Sequence, residues 1–354
     1  MDCPNSPQLF DENDTIVLSI LSEVNEFCLF YRTFHKYLSM LLCIFGLLAN
    51  CTHIWILRRP SMLRSSVHTV LICIALADSG TMSSYVIYLL RYEFYASSTG
   101  GYSYGWVVLL KVHVILSTAL HGISLYLLVF MAYIRLCSIQ TQHNRLLETK
   151  VAGLVSLSIA LAIFILCIPT LLAHDILPQV KNSNSIKLKT TLSTDSAESN
   201  VSYASTKYII GFSEMFVSNG CLLLKLNLWL TGIMMKVAPC LLLLCLTYCL
   251  LTKLAENKKK RITLLRIKDG AYKDRTTYML LIMVSVFLCT ELPQGIITIF
   301  NAIYTAQFHF YVYLTMADVL DVLSLINCYV GFTVYFYTSS RYRRVFYSIL
   351  PRFM

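Results

Sequence analysis

Charged side chains lie inside long apolar stretches of the sequence, where an uncompensated charge is energetically costly. Those that share a similar depth are His113, Lys236, Glu291, Asp318 and Asp321. Asp318 and Asp321 are three residues apart, so on a helix they share one face. So many carboxylates within apolar segments need cationic partners in the protein or a bound cationic ligand. Lys236 could pair with Glu291, and two acids would still remain for one bound cation.

A second polar set lies nearer the middle of the apolar stretches and consists of Asn50, Asp78, Ser124 and Asn327. One carboxylate with two amides and a hydroxyl could hold a small cation or a water cluster near Asp78. The alternative is a satisfied polar network that only joins helices.

The remaining reactive side chains do not form catalytic machinery. The histidines, serines and cysteines show no nucleophile–base–orienter grouping, no histidine pair with metal spacing and no CxxC motif. We therefore expect no enzyme, no resident cofactor and no structural metal.

The apolar stretches that position these residues are predicted to be membrane spans. Of the 354 residues 56% are hydrophobic and only 14% charged, which excludes a soluble enzyme, a disordered regulator and a secreted disulfide scaffold. Seven segments approach or exceed the ~20 residues needed to cross the hydrocarbon core. They are Tyr37–Leu57, Val67–Leu90, Trp106–Cys137, Val151–Leu172, Leu226–Leu251, Thr277–Ile303 and Phe310–Tyr337. The fold class is therefore an all-α membrane protein, a seven-transmembrane helix bundle over residues 37–337.

Lysine and arginine determine the expected orientation. Most of the 29 basic residues follow spans one, three, five and seven, whereas residues 1–36 are rich in acids. This predicts a multi-pass plasma-membrane protein with an extracellular N-terminal segment at 1–36. It also explains the net charge of +10 without any nucleic acid. Glycosylation sequons at Asn13 and Asn200 agree with this orientation.

Residues 338–354 are predicted to lie on the inner side. In Arg341–Leu350 the apolar residues recur at helical spacing and the arginines occupy the other face. We expect a short amphipathic eighth helix along the inner leaflet, followed by a short tail.

Specific motifs follow one another in the order of a known family: GLLAN (Gly46–Asn50), IALAD (Ile74–Asp78), TELPQG (Thr290–Gly295) and ADVLDVLSLIN (Ala317–Asn327). From Tyr31 to Phe346 the chain resembles a rhodopsin-like (class A) G-protein-coupled receptor. More narrowly, it resembles the invertebrate, especially nematode, myosuppressin/FMRFamide-like neuropeptide receptors.

The resemblance implies binding of a short amidated peptide of the RFamide type. The peptide guanidinium would be gripped by a carboxylate, Asp321 in preference to Asp318, and the Phe-amide would lie deeper near Phe287. The implied ligand-binding residues are Asp321, Asp318, Glu291, His113, Lys236, Gln294 and Phe287.

The resemblance also implies signalling through a heterotrimeric G protein of the Gi/o type. Arg135 matches the arginine that grips the G protein, and Tyr335 matches the tyrosine that helps to hold the active state. Asp78, Ser124 and Asn327 match an allosteric sodium site.

The chain departs from the family pattern at several positions. Ile134 replaces the acid that usually restrains Arg135, which predicts a less restrained inactive state with basal activity. Leu110 replaces the usual disulfide cysteine, and a Cys28–Cys221 bond could substitute. A divergent chemosensory receptor for a non-RFamide ligand is therefore the alternative, and a membrane transporter is a remote one.

Overall fold

The seven apolar segments form seven helices long and apolar enough to cross a membrane, which confirms the predicted fold class. The structure is a computed structural model and describes residues 7–11, 13–62, 65–96, 101–140, 148–179, 207–265, 275–305 and 307–349. Within these residues the helices are followed by an eighth, amphipathic helix close to its predicted position.

The spans are numbered in chain order and several are built of two segments. They are α1 (Thr15–Leu57), α2 (Ser66–Tyr88), α3 (Tyr104–Gln140), α4 (Thr149–Leu166, then Ile168–Ala173), α5 (Glu214–Thr231 and Ala238–Leu265), α6 (Arg275–Ile303), α7 (Leu314–Asn327 and Val330–Thr338) and α8 (Ser340–Ile349).

Helix α1 is longer than the apolar pattern indicates. It begins at Thr15, capped by the Asp14 carboxylate that accepts from the Ile16 amide at 2.9 Å. Its 43 residues extend for roughly 64 Å, about twice the thickness of the hydrocarbon core. The predicted membrane boundary at Tyr37 and the segment limits 1–36, 37–337 and 338–354 stay predictions.

Three helices are irregular at similar depth. In α5 a π-helical turn at Gly232–Val237 precedes Pro239, whose missing N–H leaves a carbonyl without its helical donor. Pro293 interrupts the hydrogen-bond ladder of α6 in the same way. The two segments of α7 are separated at Cys328 and Tyr329.

A two-stranded antiparallel hairpin connects α4 to α5. Strand β1 (His174–Pro178) pairs with β2 (Tyr208–Phe212), and Tyr102 before α3 bridges to Tyr208 in β2. This hairpin lies across the end of the bundle at which α3 begins.

The Cys28–Cys221 bond is a wrong prediction. Cys28 is a free, buried thiol on α1, whereas Cys221 on α5 is disulfide-bonded. The prediction failed because α1 continues as a helix past Cys28 and keeps this residue buried against the bundle.

Candidate ligand-binding and signalling site

The two acids on α7 have different surroundings. A carboxylate oxygen of Asp318 lies 3.8 Å from Arg32 Nε, and its other oxygen lies 4.0 Å from His35 Nε2, both on the long α1. The Asp318 side chain is about one-third exposed and that of Arg32 is mostly exposed. Asp318 therefore has a cationic partner within the protein, at the end of the bundle where α7 begins.

Asp321 lies one turn deeper, with the Tyr85 hydroxyl of α2 close to its carboxylate. Within the described part of the chain no basic nitrogen forms an ion pair with its half-buried carboxylate. Tyr88 and His113 stack with ring centroids 4.7 Å apart, and Tyr85 meets His113 edge-on at 5.1 Å. Buried His113 Nδ1 has no hydrogen-bond partner among the described residues. An acid beside aromatic faces is a suitable environment for a planar cation.

Glu291 on α6 has a different role from the two acids on α7. Its side chain is fully buried and accepts from three helices. Oε2 accepts from Lys236 Nζ at 2.7 Å, while Oε1 accepts from His121 Nε2 at 3.0 Å and Asn327 Nδ2 at 2.7 Å. The expected Lys236–Glu291 pair is therefore present in the structure.

Gln294, one turn after Thr290 on α6, extends this network. Its Oε1 accepts from Lys236 Nζ at 2.9 Å and from Ser324 Oγ at 3.1 Å. Thr290 Oγ1 donates to Asn327 Oδ1 at 2.8 Å. We call Glu291, Lys236, His121, Gln294 and Asn327 the ionic hub.

The N-terminal residues before α1 are fastened across the same end of the bundle. The amides of Leu9 and Phe10 both donate to Gln307 Oε1 at 2.9 Å, and Gln307 Nε2 donates to the Phe10 carbonyl at 3.0 Å. Asn13, on the same segment, is exposed; Asn200 lies outside the described residues.

The middle polar set is only partly assembled. Ser124 Oγ donates to Asp78 at 2.6 Å, and both line a cavity of about 40 Å³ together with Asn327 and Phe287. Asp78 and Ser124 supply oxygen ligands of the kind that suit a small cation, and the cavity is large enough for one ion or water. Asn50 does not line this cavity and instead donates to the Cys328 carbonyl at 2.7 Å. Phe287 thus lies beside this cavity and not with the outer acids.

At the C-terminal end of α3, the Arg135 side chain lies close to the Tyr335 hydroxyl of α7. The two residues that the family resemblance linked to the G protein are therefore in contact. Ile134, where an acid is usual, is fully buried. Because that acid is missing, Tyr335 is the partner that the structure gives to Arg135.

Tyr335 is enclosed by aromatic rings from three other elements. His53 of α1, His68 of α2 and Tyr342 of α8 meet it edge-on at centroid distances of 5.7, 6.2 and 6.1 Å. The Tyr342 hydroxyl and His53 Nδ1 are 3.0 Å apart. Burial raises the pKa of Tyr342, so its hydroxyl remains protonated and can donate this bond.

Sequence reasoning missed several residues that complete these clusters. His121 is polar and central in span three, and could have been found by its depth alone. Arg32 and His35 were assigned to the N-terminal segment because the apolar pattern begins after them. Tyr85 and Tyr342 resemble ordinary aromatic core residues in the sequence, so only the folded arrangement reveals their partners.

The chain matches a protein-family model described as "Serpentine type 7TM GPCR chemoreceptor Srw" over residues 37–352. The chain belongs to this family. It is also 29% identical over 363 aligned residues to the G-protein coupled receptor dmsr-1 of Caenorhabditis elegans. That alignment covers 90% of this chain and 68% of dmsr-1.

These matches confirm the expected class of protein. The chain is a multi-pass membrane receptor that couples to G proteins, and not an enzyme. The receptor's ligand, its G-protein subtype and the side of the membrane that its N-terminus occupies are matters for proposal.

Proposed function

We propose that this receptor binds a short amidated peptide of the RFamide type at the plasma membrane, with its N-terminus outside, and signals through a Gi/o-type heterotrimeric G protein. The observation that carries the proposal is Asp321. The Tyr85 hydroxyl lies close to its half-buried carboxylate, which has no ion-pair partner among the described residues. A peptide guanidinium would supply the missing positive charge.

The surroundings of Asp321 favour arginine over lysine in the ligand. Tyr85 and Tyr88 lie near the carboxylate, and both rings pack against His113. A guanidinium is planar, stacks on such rings and is less strongly hydrated than an ammonium group. Asp318 would add a second acid at the rim, where Arg32 already competes for it.

Asp321→Asn tests this proposal in a G-protein activation assay in cells that lack related receptors. An Arg-Phe-amide peptide should lose roughly 10- to 100-fold in potency, because a charge-assisted hydrogen bond is removed. A peptide with norleucine in place of arginine should lose little. Asp318→Asn is the matched control and should have a smaller effect, since Asp318 is shared with Arg32. Equal losses for both peptides would contradict the proposed contact, and a response that survives inactivation of Gi/o would contradict the coupling.

The second candidate function is reception of a non-peptide sensory ligand. It is favoured by the description of the matching family as chemoreceptors. A receptor that reaches the cell surface but remains silent across a panel of amidated peptides, while responding to small sensory compounds, would support this candidate.

A further inference from the structure

The hairpin of β1 and β2 is fastened to the chain just before α3 by main-chain hydrogen bonds. The Tyr102 amide donates to the Tyr208 carbonyl at 3.0 Å, and the Tyr208 amide donates to the Tyr102 carbonyl at 2.8 Å. Beside this bridge, the Gln179 amide donates to the Lys207 carbonyl at 2.7 Å and continues the pairing of the two strands. We call β1 and β2 the strap, because they lie across this end of the bundle.

No disulfide can join the strap directly to the beginning of α3. Residues 74–136, which include Leu110, contain no cysteine, and neither do residues 168–220. The disulfide-bonded Cys221 lies on α5, beyond the strap. The connection between the strap and α3 is therefore noncovalent.

The close approach of the chain to the strap depends on Gly101. Its φ of +62° is in the left-handed region that favours glycine. A Cβ atom at this position would lie 2.3 Å from Gln179 Oε1 and 2.9 Å from Lys207 Cβ. The absence of a side chain thus allows Tyr102 to reach β2.

Arg91 braces the bridge from the π-helical continuation of α2 (Leu89–Phe94). Its guanidinium lies over the ring of Tyr102 at 5.0 Å and over the ring of Trp106 at 4.7 Å, and Nη1 donates to the Tyr95 carbonyl at 2.8 Å. In the part of the chain that the structure describes, no acid forms an ion pair with Arg91. Its positive charge therefore interacts mainly with the two rings.

A series of packed rings connects this brace with the surroundings of Asp321. Tyr102 meets Tyr92 edge-on with ring centroids 5.0 Å apart, Tyr92 stacks on Tyr88 at 5.5 Å, and Tyr88 stacks on His113 at 4.7 Å. Tyr88 lies near the Asp321 carboxylate. The strap and the proposed ligand site therefore belong to one packed cluster.

We propose that the strap is releasable and that Arg91 is the positioning residue that keeps it closed. Two main-chain hydrogen bonds and one cation–π brace are each weak. They can open and re-form while the helices stay folded, as local opening does in other proteins, whereas a disulfide would hold the strap permanently. Opening admits and releases the ligand. This last step rests on the proposed function, but the reversible fastening does not.

Hydrogen–deuterium exchange of the full-length receptor, purified without ligand, tests the fastening. Arg91→Met removes the guanidinium and should accelerate exchange at the Tyr102 and Tyr208 amides by about fivefold or more. Arg59→Met is the matched control, because its guanidinium lies over the ring of Trp55 at 4.9 Å but on α1, away from the strap. It should leave exchange in the strap unchanged.

A pair of glycine substitutions tests the same fastening without changing charge. Gly101→Ala introduces a strained φ and a clash with Lys207, so it should accelerate exchange at the Tyr208 amide. Gly105→Ala should not, because a Cβ atom there would have no neighbour within 4 Å. Unchanged exchange in both Arg91→Met and Gly101→Ala would overturn the proposal. Release of the strap by reduction of the Cys221 disulfide, but not by Arg91→Met, would also overturn it.

Peptide-binding kinetics separate a releasable strap from simple structural support. Arg91→Met should raise both the association and the dissociation rate of an Arg-Phe-amide peptide by about threefold or more, with the Kd changed by less than about twofold. Weaker binding without faster association would show a merely structural role and overturn the part of the strap in ligand entry. If the peptide panel is silent, the proposed function fails, while the exchange measurements still decide the fastening.

Discussion

At the residue scale, Tyr342 shows how one buried side chain connects the eighth helix to Arg135. Its ring is fully buried and packs against Tyr335, whose hydroxyl lies close to the Arg135 side chain. Its hydroxyl is the one partner that the described residues offer to the ring nitrogens of His53, because His53 Nε2 has none. The position of α8 and the position of Arg135 are therefore linked through three side chains.

Tyr342→Phe should destabilise the receptor without removing apolar packing. Loss of the hydroxyl leaves His53 Nδ1 buried and unsatisfied, which costs about 1–3 kcal/mol and should lower the melting temperature by several degrees. Tyr347→Phe is the matched control, since Tyr347 is on the same helix and exposed. If both substitutions leave the melting temperature unchanged, the His53–Tyr342 bond contributes nothing.

The sequence indicates which charged residues form the site, but it does not indicate which of them pair with one another. Buried charge at Glu291, Lys236, Asp318 and Asp321 is evident from the sequence, since charges are rare in apolar spans. Which of them pair depends on how each helix is rotated. The π-helical turn in α5 adds a residue to one turn, and one extra residue rotates the following side chains by about 100°. Sequence periodicity alone gives no sign of such a turn.

At the element scale, the π-helical turn of α5 is held in place from α3. The Tyr126 hydroxyl donates to the Met234 carbonyl at 2.6 Å, and Pro239 removes an N–H just below the turn. A carbonyl that leaves the regular ladder needs another donor, and Tyr126 provides one. The orientation of Lys236 toward Glu291 depends on this support.

Tyr126→Phe should loosen the turn and disturb the pairing of Lys236 with Glu291. The lost bond contributes about 1 kcal/mol, so the expected decrease in melting temperature is about 2–4 °C, with a smaller maximal agonist response. Tyr104→Phe, on the same helix and exposed, should have neither effect. A variant with wild-type melting temperature and response would show that the turn is stable without Tyr126.

The positions of the spans were predictable because length and apolarity alone determine which segments can cross a membrane. The N-terminal half of α1 was not predictable as a helix on this basis. It contains Glu23, Glu26 and Arg32, which lower the hydropathy but do not break a helix. Helix formation there depends on continuation from the span and on the Asp14 cap.

At the scale of the whole molecule, orientation in the membrane is set by the distribution of basic residues and can be tested at Asn13. This residue is exposed just before the cap of α1, so an extracellular N-terminus should carry a glycan there. Enzymatic deglycosylation should increase the electrophoretic mobility of the wild type, and Asn13→Gln should reduce that shift. Asn13→Gln/Asn200→Gln should abolish it. A wild-type receptor that reaches the surface with no shift would contradict the orientation or the use of both sequons.

The length of α1 has a consequence for ligand selection. Because the helix continues outward beyond the predicted membrane boundary, it carries Arg32 to Asp318, so the receptor brings its own guanidinium to the rim of the bundle. This tethered competitor is present at a high effective concentration. An exposed ion pair of this kind contributes about 0–1 kcal/mol, so it weakens the binding of a ligand cation at Asp318 by at most about fivefold. Under the proposed function, a ligand with one cation would bind at Asp321, whereas a dibasic ligand that reaches both acids would displace Arg32. Arg32 of α1 would then make the receptor select ligands by the number and spacing of their charges.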